Sequence, residues 1–325
     1  VSILFASGFE SGSYEFSQWT HYWLVSSPVR TGNYCLKSLS INTVTAIIPA
    51  RSELYIQVCF NTDSVDSSKF FQWYSGSTIT GSVKIDSGRV EVYTGNLSTK
   101  VITSASGLWV IDRYCCVELH IVVHSSSGLI ELCVDGVSQG SFTGNTQLTG
   151  SAYIDSVALY AGKLYLHFDD IVICDTLGTV NNSWVGGARI VALQPNQDGH
   201  YSQWTPYPAG VSNFTCVDEI PVTESEYVTT DVSGYIDMYG IEDVPSDCDE
   251  VLSIGVQNFA KKTSGVTTSM IMNGIRESGT DYFAGLTVLS TSYLAYTDYW
   301  DLNPRTSSAW DPSEINNLEI GVKLL

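Results

Sequence analysis

Positive charge is scarce in this chain: 15 Lys and Arg stand against 34 Asp and Glu, a net charge of −19 over 325 residues. Residues 1–175 carry nine basic and 15 acidic groups, and residues 176–325 carry six and 19. No basic stretch is available to release counterions from nucleic acid or from an anionic membrane, which excludes both as unaided partners. Long apolar runs are also missing, since none approaches the roughly 20 residues of a membrane helix. The opening Val1–Gly8 has no charged region and only a short apolar stretch, so it does not read as a secretory signal; a cytoplasmic product that has lost its initiator Met and a longer precursor both fit a start at Val1. There is no CxxC pair, no GxSxG elbow and no phosphate-binding glycine loop, which removes zinc knuckles, elbow-type serine hydrolases and P-loop chemistry.

What is present is apolar residue in short alternating runs. Hydrophobic residues make up 44% of the chain and charged ones 15%, enough to fill cores in two domains of ordinary size. Helical periodicity is nearly absent, while two-residue alternation bounded by Gly, Ser, Asn and Asp recurs, which predicts an all-β protein. Ser82–Tyr93 reads as a hairpin turning at Asp86-Ser87-Gly88. Val117–Val123, Leu129–Val134 and Val137–Phe142 form a meander whose second turn is Asp135-Gly136, a dipeptide suited to positive φ. Leu164–Cys174 is predicted to close this half, and the polar stretch Thr176–Ser183 places a domain boundary between residues 1–175 and 176–325. In the second half strands are expected at Ala188–Leu193, Tyr235–Ile241, Val251–Ala260, Thr268–Gly274 and Tyr282–Leu289. Asp311-Pro312-Ser313-Glu314 is a capping box, so a short helix is expected from Pro312 to Leu318, ended by Gly321 before a last strand over Ile320, Val322 and Leu324.

The eight cysteines are Cys35, Cys59, Cys115, Cys116, Cys133, Cys174, Cys216 and Cys248. Several lie inside apolar strand-like runs, so they are expected as buried free thiols that pack as small hydrophobes. Cys115 and Cys116 should point to opposite faces of a strand, with an intermolecular disulfide as the lesser alternative.

The first half, with Phe9-Glu10, Trp109 ahead of Val117–Val123, the Val134-Asp135-Gly136 hairpin and the closing Phe168-Asp169-Asp170-Ile171-Val172, resembles the laminin-G-like, concanavalin-type jelly rolls. The second half, with Gln203-Trp204-Thr205-Pro206, Val217–Pro221 and Trp310–Lys323, resembles the C-terminal part of structural proteins of tailed bacteriophages. The resemblance implies tandem β-sandwiches, a jelly roll followed by a second sandwich with a short C-terminal helix.

Candidate chemistry is sparse. Jelly-roll glycoside hydrolases carry acidic residues at alternate strand positions. In Glu131-Leu132-Cys133-Val134-Asp135 the middle position is Cys133 and Asp135 belongs to a turn, so the segment reads as a hairpin strand. His120 and His124 are spaced for a metal on a helix, but on a strand they stand about 13 Å apart at roughly 3.3 Å per residue, so they read as exposed or edge histidines. His21, His167 and His200 are isolated. One of the adjacent Asp169 and Asp170 must face inward and needs a donor or a cation; the laminin-G-like resemblance implies Ca²⁺ as that cation, although one pair falls short of its roughly six to eight oxygens, no ligand set is identified, and the plainer reading is an aspartate capping a loop. Tyr293–Trp300 places aromatics on both faces of a strand, suited to sandwich core, an oligomer interface or glycan stacking. Asp243–Glu250 reads as a solvated loop. The sequons at Asn96, Asn181 and Asn213 are expected by chance.

With no catalytic constellation, the expectation is a non-enzymatic phage virion protein, a capsid decoration or tail-associated component present in many copies. It would be a homo-oligomer such as a trimer, bound to the major capsid or tail protein through its second domain, with no cofactor. A carbohydrate-binding lectin or adhesin that takes host surface glycan is the alternative, and a polysaccharide hydrolase or lyase ranks below both.

Overall fold

The computed structural model describes residues 2–11, 22–38, 43–64, 67–160, 166–263, 265 and 268–325. They form two compact units, Val1–Ile190 and Val191–Leu325. The segment 176–190 thus belongs to the first unit, and the boundary expected after Asp175 falls after Ile190. His21, Leu164 and Tyr165 lie outside the described residues.

The first unit contains β1 (Ile3–Ser7), β2 (Tyr22–Val25), β3 (Cys35–Ser38), β4 (Thr43–Arg51), β5 (Glu53–Thr62), β6 (Ser68–Ser75) and β7 (Thr78–Asp86). It continues with β8 (Arg89–Thr94), β9 (Thr99–Thr103), β10 (Cys115–Val122), β11 (Gly128–Val134), β12 (Val137–Gly144), β13 (Ile154–Tyr160) and β14 (Leu166–Cys174). One sheet runs β12-β11-β10-β5-β14-β3-β2 with β1 added on β14, and the other runs β4-β13-β6-β7-β8-β9. Their inner faces meet in a single apolar cluster, with Leu54, Ile56, Leu119 and Ile121 from the first sheet and Phe71, Trp73, Val83 and Val92 from the second. This is a jelly-roll β-sandwich. Each such side chain, fully buried, contributes about 1.5–3 kcal/mol.

The turns follow their sequence signals. Ser87 and Gly88 have φ of 51° and 76°, and Asp135 and Gly136 have 47° and 75°, the paired positive angles of a two-residue hairpin turn. Gly81 lies opposite Trp73, and a Cβ there would come within 1.8 Å of the indole, so the absence of a side chain makes room for the ring.

Strands of the second unit are β15 (Pro195–Ser202), β16 (Thr205–Tyr207), β17 (Tyr227–Thr229), β18 (Ile236–Ile241) and β19 (Ile254–Ala260). After them come β20 (Met270–Glu277), β21 (Thr280–Phe283), β22 (Thr287–Val288), β23 (Leu294–Trp300), the helical turn α1 (Pro312–Ile315) and β24 (Glu319–Leu324). The main sheet runs β15-β18-β24-β20-β21, with β22 on β20, and β16–β17 and β19–β23 are two-stranded ribbons. Asn273 of β20 ties the β19–β23 ribbon to the main sheet: its Nδ2 donates to the carbonyls of Val256 (3.2 Å) and Tyr296 (2.9 Å), and its Oδ1 accepts from Asn258 (2.7 Å). Val256 packs with Ile241, Ile275 and Trp310, and Tyr296 against Ile271, Leu289 and Val322.

Several local expectations are corrected. Residues 188–193 form no strand, because their polar groups bond to side chains: Ile190 N donates to Asp170 and Ala188 O accepts from Gln57 and Arg30. The stretch 282–289 is split between β21 and β22. The capping box is present, with Asp311 accepting from Ser313 N at 2.8 Å and Glu314 accepting from Asp311 N at 3.1 Å, but the helix ends at Ile315. Gly321 is an interior residue of β24, where a Cβ would meet Asp237 O at 1.9 Å.

Candidate functional site

On β5, β10 and β11 the core takes alternate residues, which leaves Glu53, Tyr55, Gln57 and Cys59, then Cys116, Glu118 and His120, then Glu131 and Cys133 on the outer face of the first sheet. Register aligns them in rows. Tyr55, His120 and Glu131 are direct neighbours on three adjacent strands, as are Gln57, Glu118 and Cys133, and Cys59 faces Cys116.

Cys59 and Cys116 form a disulfide, with Cα atoms 4.0 Å apart. The expectation of free thiols is therefore corrected at this pair, because two cysteines paired across neighbouring strands on the same face stand within bonding reach. The other six remain thiols, Cys35, Cys115, Cys174 and Cys216 buried and Cys133 and Cys248 partly so. Burial pushes the Cys35 thiol up to about 11 and also raises Cys133.

The outer face is covered in part by a strap, residues 183–190. Asp169 and Asp170 sit in a bulge where the β14–β5 register shifts, with Asp170 at φ 46°, and both side chains are fully buried. Asp169 accepts from the backbone N–H of Arg30 (2.8 Å) and Thr31 (3.3 Å). Asp170 accepts from the Arg30 guanidinium, the Thr31 hydroxyl (2.9 Å) and Ile190 N (2.7 Å). Protein donors therefore satisfy the acidic pair. Among the described residues no group of three or more His, Cys, Asp and Glu is arranged to hold a metal. Arg30 also donates to Gly187 O (2.7 Å) and Ala188 O (3.0 Å), Gln57 to Ala188 O (2.9 Å), and Gly186 N to Glu118 (2.9 Å). These bonds hold Trp184 beside the row of Tyr55 and His120.

There the rings of Tyr55 and His120 stack at 4.2 Å with 2° between their planes, and Trp184 meets them edge-on at 5.3 and 6.2 Å. His120 Nδ1 lies 2.7 Å from Glu131 Oε2 and Nε2 lies 2.9 Å from Glu53 Oε1. A carboxylate only accepts, so both contacts are hydrogen bonds when both ring nitrogens carry protons or when one carboxyl holds the proton. Burial, then Glu53 and Glu131, raise the Tyr55 phenol above its ordinary value, which keeps it a donor. Glu53 and Glu131 are 36% and 39% exposed and Trp184 36%, so the cluster opens to solvent at its rim although His120 itself is only 9% exposed.

His120 is therefore not an exposed or edge histidine: β10 is flanked by β5 and β11. Glu131 lies in a hairpin strand as expected, yet its carboxylate meets an imidazole that Glu131–Asp135 by itself does not show. His124 is exposed and accepts from Ser126 N and Ser127 N at 3.1 and 3.0 Å, and His167 is buried with its acidity raised by desolvation. The sequence by itself does not single out Tyr55, Glu53 or Trp184. Its available signal was the polar alternation of Glu53-Leu54-Tyr55-Ile56-Gln57 beside Glu118-Leu119-His120, which marks a sheet face carrying polar groups. Of Tyr293–Trp300, Tyr296 and Trp300 pack against the second unit's cores, and Tyr293 stacks on Phe259 at 4.8 Å. Asp243–Glu250 is an exposed loop turning at Pro245–Cys248.

No protein-family model and no curated protein sequence matches the chain. Among solved structures it is similar to an endo-β-1,4-glucuronan lyase from the fungus Trichoderma reesei, at 12% identity and a TM-score of 0.40 over 55% of this chain and 99% of that one. A Chlorella virus alginate lyase aligns at 9% identity and 0.40 over 54% and 99%. A cellulose-induced protein aligns at 12% and 0.40 over 58% and 99%. The expectation of a non-enzymatic phage virion protein is corrected here. The outer sheet face carries a cluster of an imidazole, two carboxylates and a phenol, the kind of constellation whose supposed absence supported that expectation.

Proposed function

We propose that the first unit is a carbohydrate-active enzyme that cleaves a polysaccharide by general acid–base chemistry on the outer face of its larger sheet. The observation that carries this reading is His120, bound through both ring nitrogens to Glu131 and Glu53 and stacked on Tyr55. β-Elimination next to a uronate carboxyl needs a base to take the proton beside that carboxyl and an acid to protonate the departing glycosidic oxygen. Glu53 and Glu131, each held by His120 and open at the rim, supply the carboxylate base, and the Tyr55 phenol supplies the acid. Trp184 walls the site and offers an aromatic edge to a sugar ring.

The full chain is incubated with glucuronan, alginate and neutral β-glucan, reading the ultraviolet absorbance of unsaturated chain ends alongside total reducing ends. Unsaturated ends are expected from a uronate polymer, falling by about 100-fold or more in His120→Ala and in Tyr55→Phe. Because the chain carries −19, cleavage of an anionic polymer should quicken with added salt as repulsion is screened. Retention of polymer without cleavage, or full activity in His120→Ala, would overturn the proposal.

A further inference from the structure

The second unit holds a cavity of about 480 Å³ where the β20–β21 turn, the loop after β23, α1 and the start of β24 converge, lined by Arg276, Glu277, Arg305, Glu314, Asn317 and Glu319 among others. It is large enough for one sugar ring. No apolar side chain lines it, which argues against a lipid or an aromatic ligand.

Its charges are fixed in place. The Arg276 guanidinium pairs with Asp281 and lies beside the Tyr201 ring at 5.7 Å. Arg305 donates through Nε to the buried Glu277, with Nη2 3.6 Å from Glu314. Glu277 also accepts from the Ser278 hydroxyl at 2.8 Å, and Glu319, opposite Arg276 in the register, accepts from His200 N at 2.7 Å. Two guanidiniums and three carboxylates line one space. The net acidic lining repels an anion, and either arginine repels a cation. A vicinal diol fits both kinds of wall, because its two hydroxyls can donate to the oxygens of one carboxylate while their lone pairs accept from the fork of one guanidinium.

We infer that this cavity binds an uncharged, polyhydroxylated sugar unit, making the second unit a glycan-binding module whose site is separate from the Tyr55–His120 cluster. The inference does not depend on the first unit being an enzyme, and its test reads binding alone.

The full chain is titrated with the methyl glycosides of glucose, galactose and mannose, followed by saturation-transfer difference NMR, with inorganic phosphate and Ca²⁺ as charged probes. At least one glycoside should bind. Its affinity should fall at least ten-fold in Arg305→Gln and in Asn317→Trp; the second places bulk at an exposed position of the rim and leaves the Glu277 ion pair untouched, so it stays informative if the first unfolds. Binding to none of the glycosides, binding of phosphate or Ca²⁺ in their place, or undiminished binding in folded Asn317→Trp would overturn the inference. Loss of polymer cleavage in His120→Ala with glycoside binding intact separates the two sites.

Discussion

Arg30 and Asp170, 140 residues apart in sequence, meet in an ion pair in which the carboxylate is fully buried and the guanidinium 17% exposed. The same guanidinium bonds the carbonyls of Gly187 and Ala188. One side chain therefore satisfies the bulge of β14 and fastens the strap that carries Trp184.

Replacing Arg30 by Ala leaves the Asp170 carboxylate in a buried site without its cation. Breaking one side of a buried pair costs about 3–5 kcal/mol, so urea unfolding of Arg30→Ala should show a loss of that order. Trp184 fluorescence should shift toward that of exposed indole below the unfolding transition, once the strap is released. A stability within error of the parent would show that the Thr31 and Ile190 donors suffice.

Burial, with Asp170 beside it, pushes the Asp169 carboxyl up to about 7. The folded chain then keeps a proton that the unfolded chain has released between about pH 4 and pH 7, so the associated stability is full below the unfolded value and is lost as pH rises through the folded one. Urea midpoints across that window should fall with rising pH in the parent relative to Asp169→Asn. Parallel profiles for the two proteins would contradict this assignment.

The Cys59–Cys116 disulfide closes a loop with a sequence separation of 57. A cross-link of that span stabilises by about 2–4 kcal/mol, chiefly by restricting the unfolded chain. Reductant should lower the melting temperature of the parent and leave Cys59→Ala/Cys116→Ala unaffected. Thiol titration in denaturant should find six free groups before reduction, against eight cysteines in the chain.

Much of the fold was legible because its signals are local. Two-residue alternation marked β7, β8, β10 and β11, Ser87-Gly88 and Asp135-Gly136 marked the β7–β8 and β11–β12 turns through the positive φ they tolerate, and Asp311–Glu314 marked α1. The misplaced strand at 188–193 shows where such reading stops. Its apolar run is real, but Gln57 and Arg30, each more than 100 residues away, and Asp170, 20 residues away, take up its backbone groups. Likewise Cys59 and Cys116 look like two members of apolar runs until the β5–β10 register sets them opposite each other.

The sequence by itself determined an all-β chain of two units, acidic throughout, with its tight turns and helix cap in place, because these follow from alternation, charge count and the conformational limits of a few residues. The tertiary structure alone decided what those strands present. A strand's outer face carries chemistry only through its neighbours, so Glu53, Tyr55, His120 and Glu131 become one cluster, and Arg276, Arg305 and Glu319 one cavity, only where antiparallel pairing and loop return bring distant segments within hydrogen-bond reach.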